Sequence, residues 1–168
     1  MNFDKLKACI VYVCKRANDQ LDPVKLNKVL WYSDTETFLE TGSSITGSRY
    51  VRKPMGPVCG AMQAAITKLA EDKMIIPGRR PNVDTGNWTA DFPVCDDSLS
   101  SSLSDQEKST LDHAIKRVCR DHTTAQISDR THGEVWELAK NGEEIPLYTM
   151  YAERLGEIKK EHFEAIFA

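Results

Sequence analysis

The stretch from residue 25 to residue 58 constrains the fold more than any other part of this chain. Just before it, Asp22 and Pro23 are the residue types of a helix N-cap followed by proline at the first helical position. Apolar residues then recur at helical spacing as far as Gly42, a residue type that commonly ends a helix. A turn rich in Gly, Ser and Thr follows over residues 43–48. The chain is therefore predicted to carry one long helix that begins at Pro23 and stops at Gly42.

The spacing along this helix predicts which of its side chains face the core. The residues predicted to face inward are Leu26, Val29, Leu30, Ser33, Thr37 and Phe38. Trp31 and Asp34 lie on the other side and are expected to point outward. Because Trp31 and Tyr32 are adjacent, they cannot both face one core, and one of them should lie near the surface. A surface aromatic side chain is a candidate contact for a partner protein.

A short basic segment after the turn is predicted to be a strand. Its side chains alternate, so Tyr50 and Arg52 share one face. Gly56 and Pro57 are expected to set a strand-to-helix turn, with Pro57 opening a third helix. The segments predicted to form one small antiparallel sheet are residues 49–53, 74–78 and 88–94.

The rest of the chain has mainly helical patterns. Further helices are predicted over residues 3–17, after a capping box at Ser104 and Glu107, over residues 124–131, around Trp136, and over residues 158–167. The predicted fold class is therefore α+β: a single, mainly helical domain, residues 1–168, with a small antiparallel β-sheet.

Composition and charge favour a globular protein with two differently charged ends. The chain has 168 residues, of which 40% are hydrophobic and 28% are charged, and its net charge is −3. Residues 1–80 contain 13 basic and 8 acidic residues, whereas residues 134–168 contain 8 acidic and 4 basic ones. The basic half and the acidic tail could pack against each other or face different partners, and both alternatives stay open.

The cysteines and the N-terminus favour a cytoplasmic location. The five cysteines are an odd number and form no Cys-x-x-Cys pair, which favours reduced thiols. Charges at Asp4, Lys5 and Lys7 interrupt the N-terminal apolar residues, so the pattern of a signal peptide is not met. Because no stretch approaches the roughly 18 apolar residues of a membrane span, no membrane association is expected.

The residue pattern does not favour an enzyme, a cofactor or a metal. Nothing resembles a nucleophile elbow, and Gly56-x-x-x-Gly60 lacks the Lys-Ser/Thr that a phosphate-binding loop needs. The histidines do not form the i, i+4 pair of a helical zinc site. His132 is interpreted as a buried or interfacial imidazole that orients a loop. An enzyme that uses His132 with nearby carboxylates remains an alternative.

Nucleic-acid binding is the second alternative, because basic and aromatic residues occur together in the strand of residues 49–53. The simpler interpretation is an edge strand that is protected by its charges. The helices over residues 124–140 lack a basic recognition helix, since Glu134 and Glu137 outnumber Lys140. Nucleic acid is therefore not expected as a partner, and a transcriptional regulator that uses this strand is kept only as the alternative function.

Two blocks of sequence resemble a known family. The first block is Lys25-Leu26-x-Lys28-x-Leu30-x-Tyr32, followed by Thr41-Gly42 and Gly56-Pro57-Val58. The second is Leu103-Ser104-Asp105-x-Glu107-x-x-x-Leu111, followed by Ser128-x-x-Thr131-His132-x-x-x-Trp136. In order and spacing they resemble the Panacea domain of SocA-like antitoxins and phage-associated GepA-type proteins. The likeness covers about residues 23–146.

The resemblance implies an antitoxin that binds and neutralises a toxin protein encoded by a neighbouring gene. It also leaves open a role as an adaptor that delivers the toxin to a cytosolic protease, and a homodimer stays open as well. We expect a non-enzymatic protein without a cofactor or metal. The residues predicted to contact the toxin are Trp31, Tyr32, Tyr50, Arg52 and Met55. Those predicted to support this surface are Gly56, Pro57, Thr131, His132 and Trp136.

Overall fold

Helices dominate the protein, and their bounds follow the local sequence signals closely. A computed structural model describes residues 1–151. Its α-helices are α1 (Phe3–Ala17), α2 (Pro23–Thr41), α3 (Met62–Glu71), α4 (Asp105–Ile115), α5 (Thr124–Arg130) and α6 (Glu134–Leu138). A π-helical turn, Lys116–Arg120, continues α4. The helix predicted over residues 158–167 lies outside the described residues.

Capping side chains fix where the long helices begin and end. Asp22 accepts a hydrogen bond from the backbone N–H of Lys25 at 2.8 Å, which starts α2 as predicted. Gly42 ends α2 with φ +77°, in the left-handed region that favours glycine. Ser104 and Glu107 form the predicted capping box at the start of α4. These predicted bounds are confirmed. They could be predicted because caps depend on neighbours in the sequence and not on distant contacts.

The strands form two separate hairpins, β1 (Tyr50–Lys53) with β2 (Gly56–Cys59), and β3 (Gly78–Pro81) with β4 (Trp88–Asp91). The α+β, mainly helical class is confirmed, but the strand pairing differs from the single sheet that we predicted. The segment after α3 contributes only an isolated bridge between Ile75 and Val94. The prediction that Pro57 opens a helix is wrong: a two-residue turn returns the chain along β1, and α3 begins only at Met62.

The core forms around α1, which packs against α2, α3 and α4. Apolar side chains of α1 are buried on nearly all sides of the helix, including Leu6, Ile10 and Val13. Leu111 and Ile115 of α4 join them from one side, as the apolar spacing of α4 predicts.

The described part of the chain holds no helix that is long and apolar enough to cross a membrane. Residues 1–151 also contain no group of three or more His, Cys, Asp or Glu side chains placed to hold a metal ion. Their five cysteines are all free thiols, and only Cys95 among them is exposed.

Candidate functional site: the first hairpin and the helices that hold it

The β1–β2 hairpin carries five of the ten residues that the sequence singled out, and its sharp turn depends on Gly56. Lys53 pairs with Gly56 in the register, so Pro54 and Met55 form the turn. Gly56 has φ +100°, a conformation that side chains with a Cβ rarely adopt. A Cβ there would lie 2.2 Å from Lys28 Nζ and 2.3 Å from Thr131 Oγ1. Gly56 therefore lets the hairpin approach α2 and the end of α5 closely.

The segment after α6 covers the free edge of β1. The backbone N–H of Arg52 donates to the carbonyl of Glu143 at 2.8 Å, and its carbonyl accepts from Gly142 at 2.8 Å. Ile145 N–H donates to the Tyr50 carbonyl at the same distance. The strand is therefore not the charge-protected free edge that we considered, because its backbone is hydrogen-bonded on both sides.

Arg52, Trp136 and His132 form a layered stack that fastens α6 to the hairpin. The Arg52 guanidinium carbon lies 4.1 Å from the centroid of the Trp136 ring. The His132 ring stacks on the same indole with centroids 3.7 Å apart and planes 12° apart. At these distances the two groups must occupy opposite faces of the indole. We call this arrangement the Arg52–Trp136–His132 stack.

Two hydrogen bonds fix the geometry of the stack. Arg52 Nε donates to the carbonyl of Trp136, and Trp136 Nε1 donates to the carbonyl of Lys53, each at 3.1 Å. His132 Nε2 is buried and has no hydrogen-bond partner among the described residues. Burial lowers the pKa of His132, and the nearby Lys28 charge lowers it further. The imidazole is thus favoured in its neutral form, which suits stacking inside this layer.

Lys28 lies beneath the hairpin and is almost completely buried, with only 1% of its surface exposed. Its ammonium donates to the carbonyl of Pro57 at 3.2 Å, and it forms no ion pair with any described residue. Burial lowers the pKa of Lys28 to about 7. Sequence reasoning did not assign this residue to the site. On α2, Lys28 shares the side of Trp31, three residues later, which the apolar spacing predicted to face outward. The available signal was therefore its place in the first of the two blocks that resemble the family.

Two of the predicted toxin contacts, Trp31 and Tyr50, lie in the core. They are 4% and 1% exposed, and their rings meet edge to face at 5.0 Å. Tyr50 donates its hydroxyl to the carboxylate of Asp34 at 2.8 Å, and Thr46 N–H donates to the same carboxylate at 2.9 Å. The prediction that Trp31 and Asp34 point outward is therefore wrong. The loop before β1 folds over this side of α2 and supplies the partners that permit their burial.

The other predicted contacts are accessible to different degrees. Met55 is 45% exposed at the hairpin turn. Arg52 is half-buried in the stack, and Tyr32 is half-buried beneath the Arg117 guanidinium, 4.3 Å from its ring centroid. Of the adjacent aromatic pair, Tyr32 is thus the one nearer the surface. Arg49 points into solvent, with Nη1 3.7 Å from a Glu144 carboxylate oxygen.

Thr131, Gly56 and Pro57 meet around Lys28, while Trp136, with His132 stacked on it, packs on Arg52 of the same hairpin. The sequence predicted Gly56 and Pro57 as a strand-to-helix turn, whereas they begin β2. Residues from both resembling blocks, far apart in the chain, are therefore brought together at one hairpin.

Comparison with known families agrees with this arrangement. The family described as "Antitoxin SocA-like, Panacea domain" matches residues 26–137, which include Lys28, the hairpin and Trp136. Neither the search of curated proteins nor the search of solved structures found a match. Because the match covers well over half of the chain and contains the residues that build the site, the chain belongs to the SocA-like antitoxin, Panacea domain family.

Proposed function

We propose that this protein neutralises a toxin, encoded by a neighbouring gene, by binding it directly. Membership of an antitoxin family supports a role in a toxin–antitoxin system. The observation that carries the proposal is the fixed arrangement at the β1–β2 hairpin, where Arg52 stacks on Trp136 and Met55 is exposed in the turn, two residues after the Lys53 carbonyl that the indole contacts. We call these three residues the hairpin face.

The hairpin face has the physical properties of a protein-binding surface. Arg and Trp are the residue types that most often dominate binding energy, and methionine adapts its shape to a partner. Hydrogen bonds from Arg52 Nε and Trp136 Nε1 hold the face before any partner arrives. Little conformational entropy is therefore lost on binding.

In this proposal, Trp31 and Tyr50 do not contact the toxin but support the hairpin face from the core. Tyr50 is in the same strand as Arg52, and its buried ring packs on Trp31 of α2. Substitutions at either residue should thus act through stability and not through lost contacts with the toxin. Tyr32, which is half-buried, remains a proposed contact at the periphery.

The proposed mechanism is occlusion, in which the hairpin face covers the active or target-binding surface of the toxin. A proteolytic adaptor would also neutralise the toxin, but it would lower the amount of toxin in the cell.

Co-expression with the neighbouring gene should restore growth and give a complex that co-purifies. Toxin abundance that is unchanged on rescue supports occlusion, whereas loss that depends on a cytosolic protease supports the adaptor. A harmless neighbour, or toxicity without rescue, contradicts the proposal.

Charge placed at Met55 should disrupt toxin binding without disturbing the fold. We expect Met55→Glu to weaken toxin affinity at least ten-fold, because an exposed turn side chain contributes little to stability but lies at the centre of the proposed contact. The matched control is Val83→Glu, which puts the same charge at an exposed apolar position in the turn of the other hairpin. Titration calorimetry measures affinity, and urea unfolding checks the fold. Equal affinity of Met55→Glu and wild type would place the interface elsewhere.

Arg52→Glu should weaken toxin binding as well, and it tests the alternative function at the same time. The change removes the cation that stacks on Trp136, so some loss of stability is expected along with the loss of affinity. A nucleic-acid-binding regulator would instead bind duplex DNA with a steep salt dependence that Arg52→Glu reduces. Measuring toxin binding and DNA binding on the same variant separates the two functions.

A further inference from the structure

A large apolar groove lies on the side of the first hairpin that faces away from Arg52. It has a volume of about 750 Å³ and is bounded by both hairpins, the N-terminal part of α2, and α3. Its apolar lining includes Leu26, Val58, Met62, Ile66, Ala90 and Phe92. Neither the hairpin face nor the Arg52–Trp136–His132 stack uses this groove.

Alternation along the strands explains why the groove is apolar. Val51 and Lys53 line the groove because they lie on the opposite side of β1 from Tyr50 and Arg52. Ala90 lines it from β4. Trp88 lies two residues earlier in β4, shares the face of Ala90, and is 64% exposed. The apolar surface therefore continues from the groove onto an exposed indole.

Two basic side chains, Lys53 and Arg79, lie at the groove. Lys53 lies in the lining, and Arg79 is directly opposite Ala90 in the β3–β4 register, so its side chain shares that face. Neither Lys53 nor Arg79 forms an ion pair with a described residue. Glu71 is the acidic residue of the lining; its carboxylate lies 3.8 Å from Lys68 Nζ, which is closer to Asp72, at 2.8 Å. Two uncompensated cations thus flank an apolar floor.

We propose that this groove binds an amphipathic, acidic helical segment of a protein partner. Apolar side chains at i, i+3, i+4 and i+7 would fill the groove alongside α3, and acidic side chains at the edges would pair with Lys53 and Arg79. We take the toxin as the source of this segment, and in that respect the inference rests on the proposed function. The hairpin would then contact the toxin on both of its faces.

A designed peptide tests the groove without the toxin. The probe is a fluorescent 16-residue peptide of Leu and Glu with Leu at i, i+3, i+4 and i+7, and its control is a scrambled peptide of the same composition. We expect the patterned peptide to bind the full chain at least ten-fold more tightly in fluorescence anisotropy. Equal binding of the two peptides, or no binding, overturns the proposal.

Two alanines of α3 provide a matched pair of variants. Ala70 lines the groove, whereas Ala64 is exposed on α3 outside the lining. Ala70→Trp should fill the groove and weaken peptide binding at least ten-fold, while Ala64→Trp should leave it unchanged. Thr67→Trp, from an exposed position in the lining, repeats the test if Ala70→Trp fails to fold. Unchanged binding by a folded groove variant overturns the proposal.

The contribution of charge to peptide binding has its own control. Reversing Lys53 and Arg79 to Glu together should weaken binding of the acidic peptide and flatten its salt dependence. Lys116→Glu reverses an exposed charge in the turn after α4 and should have no effect. Equal losses in both variants would show an effect of net charge alone and would overturn the placement of the acidic residues.

The toxin complex separates failure of this inference from failure of the proposed function. If wild type binds the toxin and Ala70→Trp binds it equally well, the groove is not the docking site, and the proposed function stands. If wild type binds no toxin, the proposed function fails, while the peptide experiment still decides the groove. Self-association that Ala70→Trp abolishes in sedimentation would identify a second copy as the occupant and overturn the proposal.

Discussion

Replacing Gly56 by alanine is expected to lower the free energy of unfolding by roughly 3–5 kcal/mol, because conformational strain and overpacking add together. The backbone at Gly56 has φ +100°, which alanine rarely adopts. The added Cβ would also meet Lys28 Nζ at 2.2 Å and Thr131 Oγ1 at 2.3 Å. Because Lys28 is buried, its ammonium has little room to move away. Urea unfolding followed by circular dichroism measures the loss.

Gly42→Ala is the matched control for Gly56→Ala. Gly42 also has a positive φ of 77°, but a Cβ there would meet nothing within 4 Å. This variant should therefore cost only the conformational term, about 1–2 kcal/mol. If both alanine variants lose the same stability, the close approach of the hairpin to Lys28 and Thr131 contributes nothing, and the account of Gly56 is wrong.

Replacing Lys28 by methionine is expected to stabilise the protein at pH 6.5, by roughly 1–4 kcal/mol, because it removes a buried charge that has no acidic partner. Lys28 forms no ion pair with a described residue, and the Pro57 carbonyl is its hydrogen-bond partner. Methionine has a similar length and fills the same space, although it leaves that carbonyl without its donor. Urea unfolding at pH 6.5 measures the difference.

The advantage of Lys28→Met should disappear as the pH rises. The pKa of Lys28 is about 7 in the folded protein and 10.5 in its ordinary state, so between these values the unfolded chain holds a proton that the folded chain has released. The free energy of unfolding of wild type therefore rises with pH from about 7, by on the order of 1.4 kcal/mol per pH unit. Lys28→Met lacks this rise. Parallel pH profiles of the two proteins would contradict the buried position of Lys28.

Buried thiols limit how far the free energy of unfolding of wild type can rise with pH. Burial raises the pKa of Cys14 and Cys119 to about 12 and that of Cys9 still further. Above about pH 9 these thiols ionise in the unfolded chain but not in the folded one, so stability falls. Since all three cysteines are present in both proteins, the difference between wild type and Lys28→Met isolates the lysine.

Lys25 provides the contrasting control. It is as buried as Lys28, but its ammonium lies 2.9 Å from the Asp84 carboxylate. Lys25→Met should destabilise the protein, by roughly 2–4 kcal/mol, because it leaves Asp84 without its counter-ion. Two lysines three residues apart on α2 are thus expected to show effects of opposite sign. If Lys25→Met and Lys28→Met destabilise the protein to the same extent, the burial of each lysine, and not its ion pair, determines the effect of the substitution.

The first hairpin has a different role on each face. On one face Arg52 stacks on Trp136, and with Met55 of the turn they form the proposed toxin contact. On the other, Val51 and Lys53 line the apolar groove. Met55 lies in the hairpin turn, outside the groove lining, whereas Ala70 lines the groove. Changes at the two positions therefore act on different surfaces, and their effects on toxin binding should be additive.

Local signals in the sequence were enough to place the long helices. The Asp22–Pro23 start and the Gly42 stop of α2, like the capping box at Ser104, involve groups within a few residues of one another. Such signals act in any environment, so they could be predicted without the tertiary structure. The same is true of the alternation in β1, which separates Arg52 from Lys53.

Tertiary structure alone decided which polar and aromatic side chains are buried. Asp34 and Trp31 lie inside because Thr46 and Tyr50 reach them from a loop and strand that follow α2. Gly56 begins a strand because β1 offers it a hydrogen-bonding partner, whereas Pro57 alone is also a residue type that opens a helix. The sequence by itself determined both ends of α2, the start of α4 and the family. Long-range hydrogen bonds and packing, which no local pattern records, decided which residues form a surface and which hold it in place.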